Sequence, residues 1–330
     1  MLRRIAVLFL FLCIQHHANA WGFWAHQRIN RIAVFLLPVE MVSFYKENID
    51  FITEHAVDPD KRRYAIADEA PRHYIDLDHY CVLPCDSMPH RWNDAVAKYS
   101  EDTLKSYGIV PWHIQLMMFR LTDAFKIKDK TKILRLSAEI GHYIADSNVP
   151  LHTTENYNGA MTNQVGIHGF WESRIPELFA EDYDYFIGKA EFVQKPSDRI
   201  WKTVLESHAA LDSVFGFEKK LSQTFPADRM YAFDTRGVVV SKMYSEEYTK
   251  AYSDMMAGMV ERRMRSSIKM VADIWFTCWT NAGSPDLSKT ETKELTAEEK
   301  AENEAEEKSY REKKKQYGHY HPENGTEGAK

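Results

Sequence analysis

The sequence predicts a mostly α protein, a single multi-helix domain with a charged C-terminal tail. Three observations lead there. Apolar residues recur at helical spacing in several long stretches, whereas no series of alternating strands appears. Hydrophobic content of 44% and aromatic content of 13% supply enough apolar surface for a packed helical core. No internal repeat and no Gly-rich phosphate loop interrupts that pattern.

Taken in order, residues 1–20 read as a signal peptide. Arg3 and Arg4 form its basic end, "IAVLFLFLCI" its apolar stretch, and "ANA" its cleavage site. The apolar stretch is short for a bilayer span, so the mature chain carries no transmembrane anchor and is expected to be secreted or periplasmic. Cleavage after Ala20 makes Trp21 the first mature residue and, with Arg3 and Arg4 gone, moves the formal net charge from −6 to −8. That balance argues against non-specific affinity for nucleic acid, although a local basic groove remains compatible with it.

Residues 21–289 form the expected domain. "AHQRINRIAVFLL" is an amphipathic helix ended by Pro38, and "VEMVSFYKENI" a second. "PWHIQLMMFRLTDAFKIK" starts at a proline suited to the first helical turn. "HYIDLDHY" could be extended; residues 131–147 are helical; "HGFWESRIPELF" is helical up to Pro176; and helical patterns return at 196–215 and 241–280. From 290 to 330 charge dominates and apolar residues almost vanish, which predicts a solvated helix or a disordered tail with little core of its own. Export permits a disulfide, and Cys81 and Cys85 in "CVLPC" could bridge a tight loop, while Cys278 in "IWFTCW" reads as a small buried hydrophobe.

The chemistry concentrates in "GHYIADSNVPLHTTENYNG". Residues four apart share a helix face, so His142 and Asp146 point the same way. Asn148 and Pro150 end the helix, and His152 can fold back toward the same point. Further candidate ligands lie in "HGFWE" (His168, Glu172), "APRHYIDLD" (His73, with Asp76 and Asp78 nearby), "HAVDPDKRR" (Asp58, with Asp60 as a near alternative) and "WGFWAH" (His26). Imidazole nitrogen and carboxylate oxygen are donors that zinc accepts where thiolates are absent.

These motifs resemble the superfamily that unites zinc-dependent phospholipases C with trinuclear-zinc, single-strand-specific nucleases. The resemblance runs through Trp21-Gly22, His26, an Asp fifteen residues before "HYIDLD", "HYIADSNVPLH" and "HGFWE", covering roughly residues 21–177. It implies three Zn2+ ions: one on Asp58, His73, His142 and Asp146; one on His152, His168 and Glu172; and one on the amine and carbonyl of Trp21 with His26 and Asp146. Asp146 would bridge two of them. Asp58 would also orient or deprotonate the attacking water, and Lys61 stands where the nucleases carry a phosphate-steadying arginine, without the bidentate fork of that arginine.

The implied activity is hydrolysis of phosphodiester bonds by metal-activated water, on phospholipid head groups or on single-stranded nucleic acid. Glu172 matches the phospholipase branch; the position of His26 matches the nucleases; "AVD" lacks the tryptophan of the nuclease motif. The expectation drawn is a phospholipase C-like enzyme, with a nuclease and a non-catalytic zinc-binding surface protein as alternatives. Phe23, Trp24, Phe170 and Trp171 could stack a base or line a choline pocket, or belong to the core.

Overall fold

The computed structural model describes residues 22–312 apart from 86, 237–238 and 295–296. The expected signal peptide, Trp21 and the tail from 313 onward lie outside the described residues. The chain is mostly helical. The elements that bear on the site are α1 (Phe23–Ala33), α2 (Asp58–Arg62), α3 (Val110–Lys126), α4 (Lys130–Ser147), α5 (Pro196–His208), α6 (Leu211–Thr224), a hairpin of β1 (Tyr231–Arg236) and β2 (Val239–Tyr244), α7 (Glu246–Met255), α8 (Met259–Asn281) and α9 (Ala297–Glu312). Short helices and 3-10 turns join them.

Helix α4 is the axis of the fold. Asp129 caps its start by accepting from the Lys132 N–H at 3.0 Å. Its apolar positions Ile133, Leu134, Leu136, Ile140 and Ile144 are all buried, against α1, α3 and α8. Helix α8 is fixed to it by Trp275, which donates to the Ser137 carbonyl at 3.0 Å and stacks on Tyr45 at 4.9 Å. The Tyr45 hydroxyl in turn shares a 2.9 Å hydrogen bond with the Ser137 side chain.

Helix α1 approaches α4 most closely at Gly141. A Cβ added there would stand 2.0 Å from Asn30 Oδ1. Asn30 has little freedom to withdraw, because its amide donates to the Ala138 carbonyl at 2.9 Å and to the Ile52 carbonyl at 3.4 Å. Gly141→Ala is therefore expected to destabilise the fold by about 1–3 kcal/mol, as overpacking does. Thermal unfolding checks this, and an unchanged midpoint would show that the two helices can part at no cost.

Where the structure departs from the sequence pattern, local chemistry explains it. The 196–215 pattern is two helices, α5 and α6, with a break at Ala209-Ala210. The 241–280 pattern begins as strand β2, paired antiparallel with β1 from Tyr231↔Tyr244 to Arg236↔Val239. Ser245 then caps α7 by accepting from Tyr248 N–H, and Gly258, at φ 76°, separates α7 from α8 in a conformation that glycine adopts without strain. "HYIDLDHY" is not a strand, since Leu77–Tyr80 form a helical turn. The helix at "HGFWE" runs past Pro176 to Phe179, through a π-helical stretch at Phe170–Arg174.

The described part of the tail is residues 290–294, where Glu291 exchanges backbone hydrogen bonds with Lys128 and Lys130, and helix α9, which packs on α2 although it has almost no apolar residues. Its anchor is Tyr310, whose ring lies 6.2 Å from Phe23 and 5.3 Å from Tyr64. Cys81 and Cys85 form a disulfide, and Cys278 is buried and free. Among the described residues no helix is long and apolar enough to cross a membrane.

Candidate metal centre

The C-terminal turn of α4 meets five other segments in the interior, and their ligating side chains converge there. Three groups of donors lie close enough to hold metal ions: Asp60, His73 and His142; His26, His142 and Asp146; and His152, His168 and Glu172. All eight residues are buried, with His168 the most exposed at 7%.

Asp146 joins the groups. Its Oδ2 faces His73 Nδ1 at 2.9 Å and His142 Nε2 at 3.3 Å. Its Oδ1 faces His26 Nε2 at 3.4 Å and His152 Nδ1 at 3.8 Å. The helical spacing of His142 and Asp146 thus places one carboxylate between two sets of imidazoles. His142 and His73 nitrogens are 3.1 Å apart, and Asp60 Oδ1 lies 3.8 Å from each. In the third group Glu172 Oε2 is 3.0 Å from His168 Nε2 and 3.5 Å from His152 Nε2.

Backbone contacts set the histidine orientations. His142 Nδ1 is 2.9 Å from the Ala56 carbonyl, so Nε2 is the nitrogen turned toward the centre. His152 Nδ1 is likewise 2.6 Å from the His73 carbonyl, turning Nε2 to Glu172. Pro150 ends α4, and the 3-10 turn Pro150–Thr153 swings His152 back as the sequence suggests.

Several atoms here have no hydrogen-bond partner: both nitrogens of His26, both oxygens of Asp60 and of Glu172, and Nε2 of His152 and of His168. Buried polar atoms are ordinarily satisfied, so orphaned donors converging on shared points are what a metal-binding interior requires. The nitrogen and oxygen donor set suits a first-row divalent ion.

Charge coupling is strong. Burial would lower the His142 pKa, but Asp146 and Asp60 outweigh it and raise it to about 9. Burial would raise Asp146 and Glu172; instead the surrounding imidazoles hold both carboxyls below their ordinary range. For His26, burial and the neighbouring His142 push the pKa down. A metal ion must displace the His142 proton, which is held up to about pH 9. Metal affinity should therefore rise with pH, by about tenfold per unit for each proton displaced, and flatten above the His142 pKa. Competition with a chelator at several pH values measures this, and a pH-independent affinity would contradict it.

The sequence-predicted residues fall into three sets. His26, His73, His142, Asp146, His152, His168 and Glu172 are brought together. Asp58 and Lys61 are not. Asp60 stands where Asp58 is expected, because residues two apart on the short helix α2 face opposite ways. Asp60 is fully buried against His73 and His142. Asp58 is 24% exposed and pairs instead with His55 Nδ1 at 2.5 Å and Lys61 Nζ at 3.0 Å. Trp21 makes up the third set, outside the described residues. Phe170 and Trp171 are buried; Phe170 stacks on Tyr244, Tyr248 and Tyr252, which makes it core.

One residue escapes the sequence reading. Glu69 is fully buried, with Oε1 3.5 Å from His73 Nε2, on the side away from the centre. It accepts from the Tyr143 hydroxyl, from Arg62 Nε at 3.2 Å and from Arg72 at 2.6 Å. A carboxylate behind a histidine biases which of its nitrogens carries the proton. The four-residue spacing to His73 was the available signal. No family model matches the chain, and no curated protein matches it.

Proposed function

We propose that this chain is an exported zinc-dependent phosphodiesterase of the phospholipase C type. The observation that carries the reading is the position of Asp146, with one oxygen facing each of two imidazole sets. The motif resemblance and the nitrogen and oxygen donors support zinc over other ions. The Cys81–Cys85 disulfide supports export.

In this reading Asp60, His73 and His142 would hold one ion with Asp146. His152, His168 and Glu172 would hold a second, and His26 with Asp146 and, by the resemblance, the Trp21 terminus would hold a third. When bound, such ions polarise a phosphoryl group, neutralise its charge and acidify the attacking water. The chain's own contribution is orientation. The Ala56 and His73 carbonyls hold two imidazoles, and Glu69 stands 3.5 Å behind a third, before any ligand arrives, so little reorganisation is left to the reaction. Asp60, buried against His73 and His142, would take the role expected of Asp58, orienting the nucleophile.

The test is a side-by-side assay of the mature chain on phosphatidylcholine micelles and single-stranded DNA, with zinc per chain measured on the same sample. Turnover of the lipid is expected. Consumption of DNA alone would make the protein a nuclease. Near-stoichiometric zinc without turnover of either would make it a zinc-binding protein without catalysis.

A further inference from the structure

A cavity of about 910 Å³ lies on the far side of Tyr143 from the metal ligands. Its walls come from α2, α3 and α4, and α9 closes it with Asn303, Glu304 and Glu307. His113 lies in the lining yet is only 6% exposed, and its Nε2 has no hydrogen-bond partner. The ring is fixed edge-on to Tyr143 at 4.5 Å, so it cannot readily turn to find one.

Two arginines of the lining act on this imidazole. Burial first, then the charges of Arg72 and Arg120, hold its pKa down at about 3. Arg72 is committed on one side to Glu69, at 2.6 Å. Arg120 is exposed, and among the described residues no carboxylate lies within ion-pair distance of it. Of the acids in the lining, Glu139 pairs with Arg62 at 2.8 Å, Asp58 with Lys61 at 3.0 Å and Glu307 with Arg311 at 3.0 Å, and Glu304 and Glu312 lie at the α9 side. An interior imidazole nitrogen without a hydrogen-bond partner thus lines the same space as two guanidinium groups, and in the tautomer that carries its proton on Nε2 it offers an anion a third donor.

We propose that this cavity is a binding site for a small oxyanion of the phosphate type, held by His113 Nε2–H, Arg120 and the free edge of Arg72. A tetrahedral oxyanion offers several acceptors to donors on different walls, and guanidinium forks match it well. The site is separate from the metal ligands and does not depend on the hydrolytic reading. It is nonetheless connected to them, because Arg72 also holds Glu69, which backs His73.

Inorganic phosphate is the probe, titrated calorimetrically into the full mature chain loaded with zinc. Phosphate can also bind the metals, so two variants separate the sites. Arg120→Ala, an exposed position, should weaken the cavity's binding by about tenfold or more, the worth of one charge-assisted hydrogen bond. Asp60→Asn should leave that same binding step in place while altering the metal-dependent one. The proposal is overturned if Arg120→Ala leaves every phosphate-binding step unchanged, or if Asp60→Asn removes them all. Thermal midpoints of both variants establish folding, and a cavity step present in an unsubstituted chain that turns over neither lipid nor DNA would count against the hydrolytic reading alone.

Discussion

Asp146→Asn is expected to empty the centre of metal and to lower phosphodiester turnover by at least about 10²–10³-fold. The carboxylate sits within 4 Å of four imidazoles, His26, His73, His142 and His152. An amide of the same shape offers one neutral oxygen where two charged ones are needed, and its NH₂ would point at histidine nitrogens that must keep their lone pairs. Glu172→Gln touches only His152 and His168. It should cost one ion where Asp146→Asn costs more. Elemental analysis of the two variants at matched folding decides the point, and equal zinc loss would remove the bridging role from Asp146.

The sequence showed much of this centre because helices and proline stops are local. The His142–Asp146 pair is a property of four residues on one turn, and the return of His152 follows from Pro150. The long helices α1, α3 and α4 were legible for the same reason: their apolar stripes face one core. What stayed hidden depended on tertiary choice. The 241–280 pattern is apolar at helical spacing, yet its first residues pair with Tyr231–Arg236, an opportunity set by a segment that precedes it. The docking of α9 rests on one tyrosine meeting Phe23 and Tyr64, which no composition count reveals. Glu69 was overlooked because its role exists only through His73.

Asp60→Asn is expected to be nearly as damaging as the loss of a histidine ligand, with one ion lost and turnover down by about 10²-fold or more. Asp58→Asn should do far less, within about 1 kcal/mol, or roughly fivefold, because it breaks a partly exposed ion pair with Lys61 and His55. The contrast follows from helix α2. Pro59 sits in its first turn, and Asp58 and Lys61, three apart, share the outer face, so Asp60 must face inward. Asp60 is also the only one of the two with both carboxylate oxygens buried and without a hydrogen-bond partner; besides the histidines, the Arg63 guanidinium stands 3.8 Å from its Oδ1, and a buried carboxylate of this kind is further stabilised by a cation. Zinc per chain and kcat for the two variants give opposite results under the two assignments. If Asp58→Asn lost the metal and Asp60→Asn kept it, α2 would have to turn by roughly half a revolution when the centre fills, carrying Lys61 inward with it.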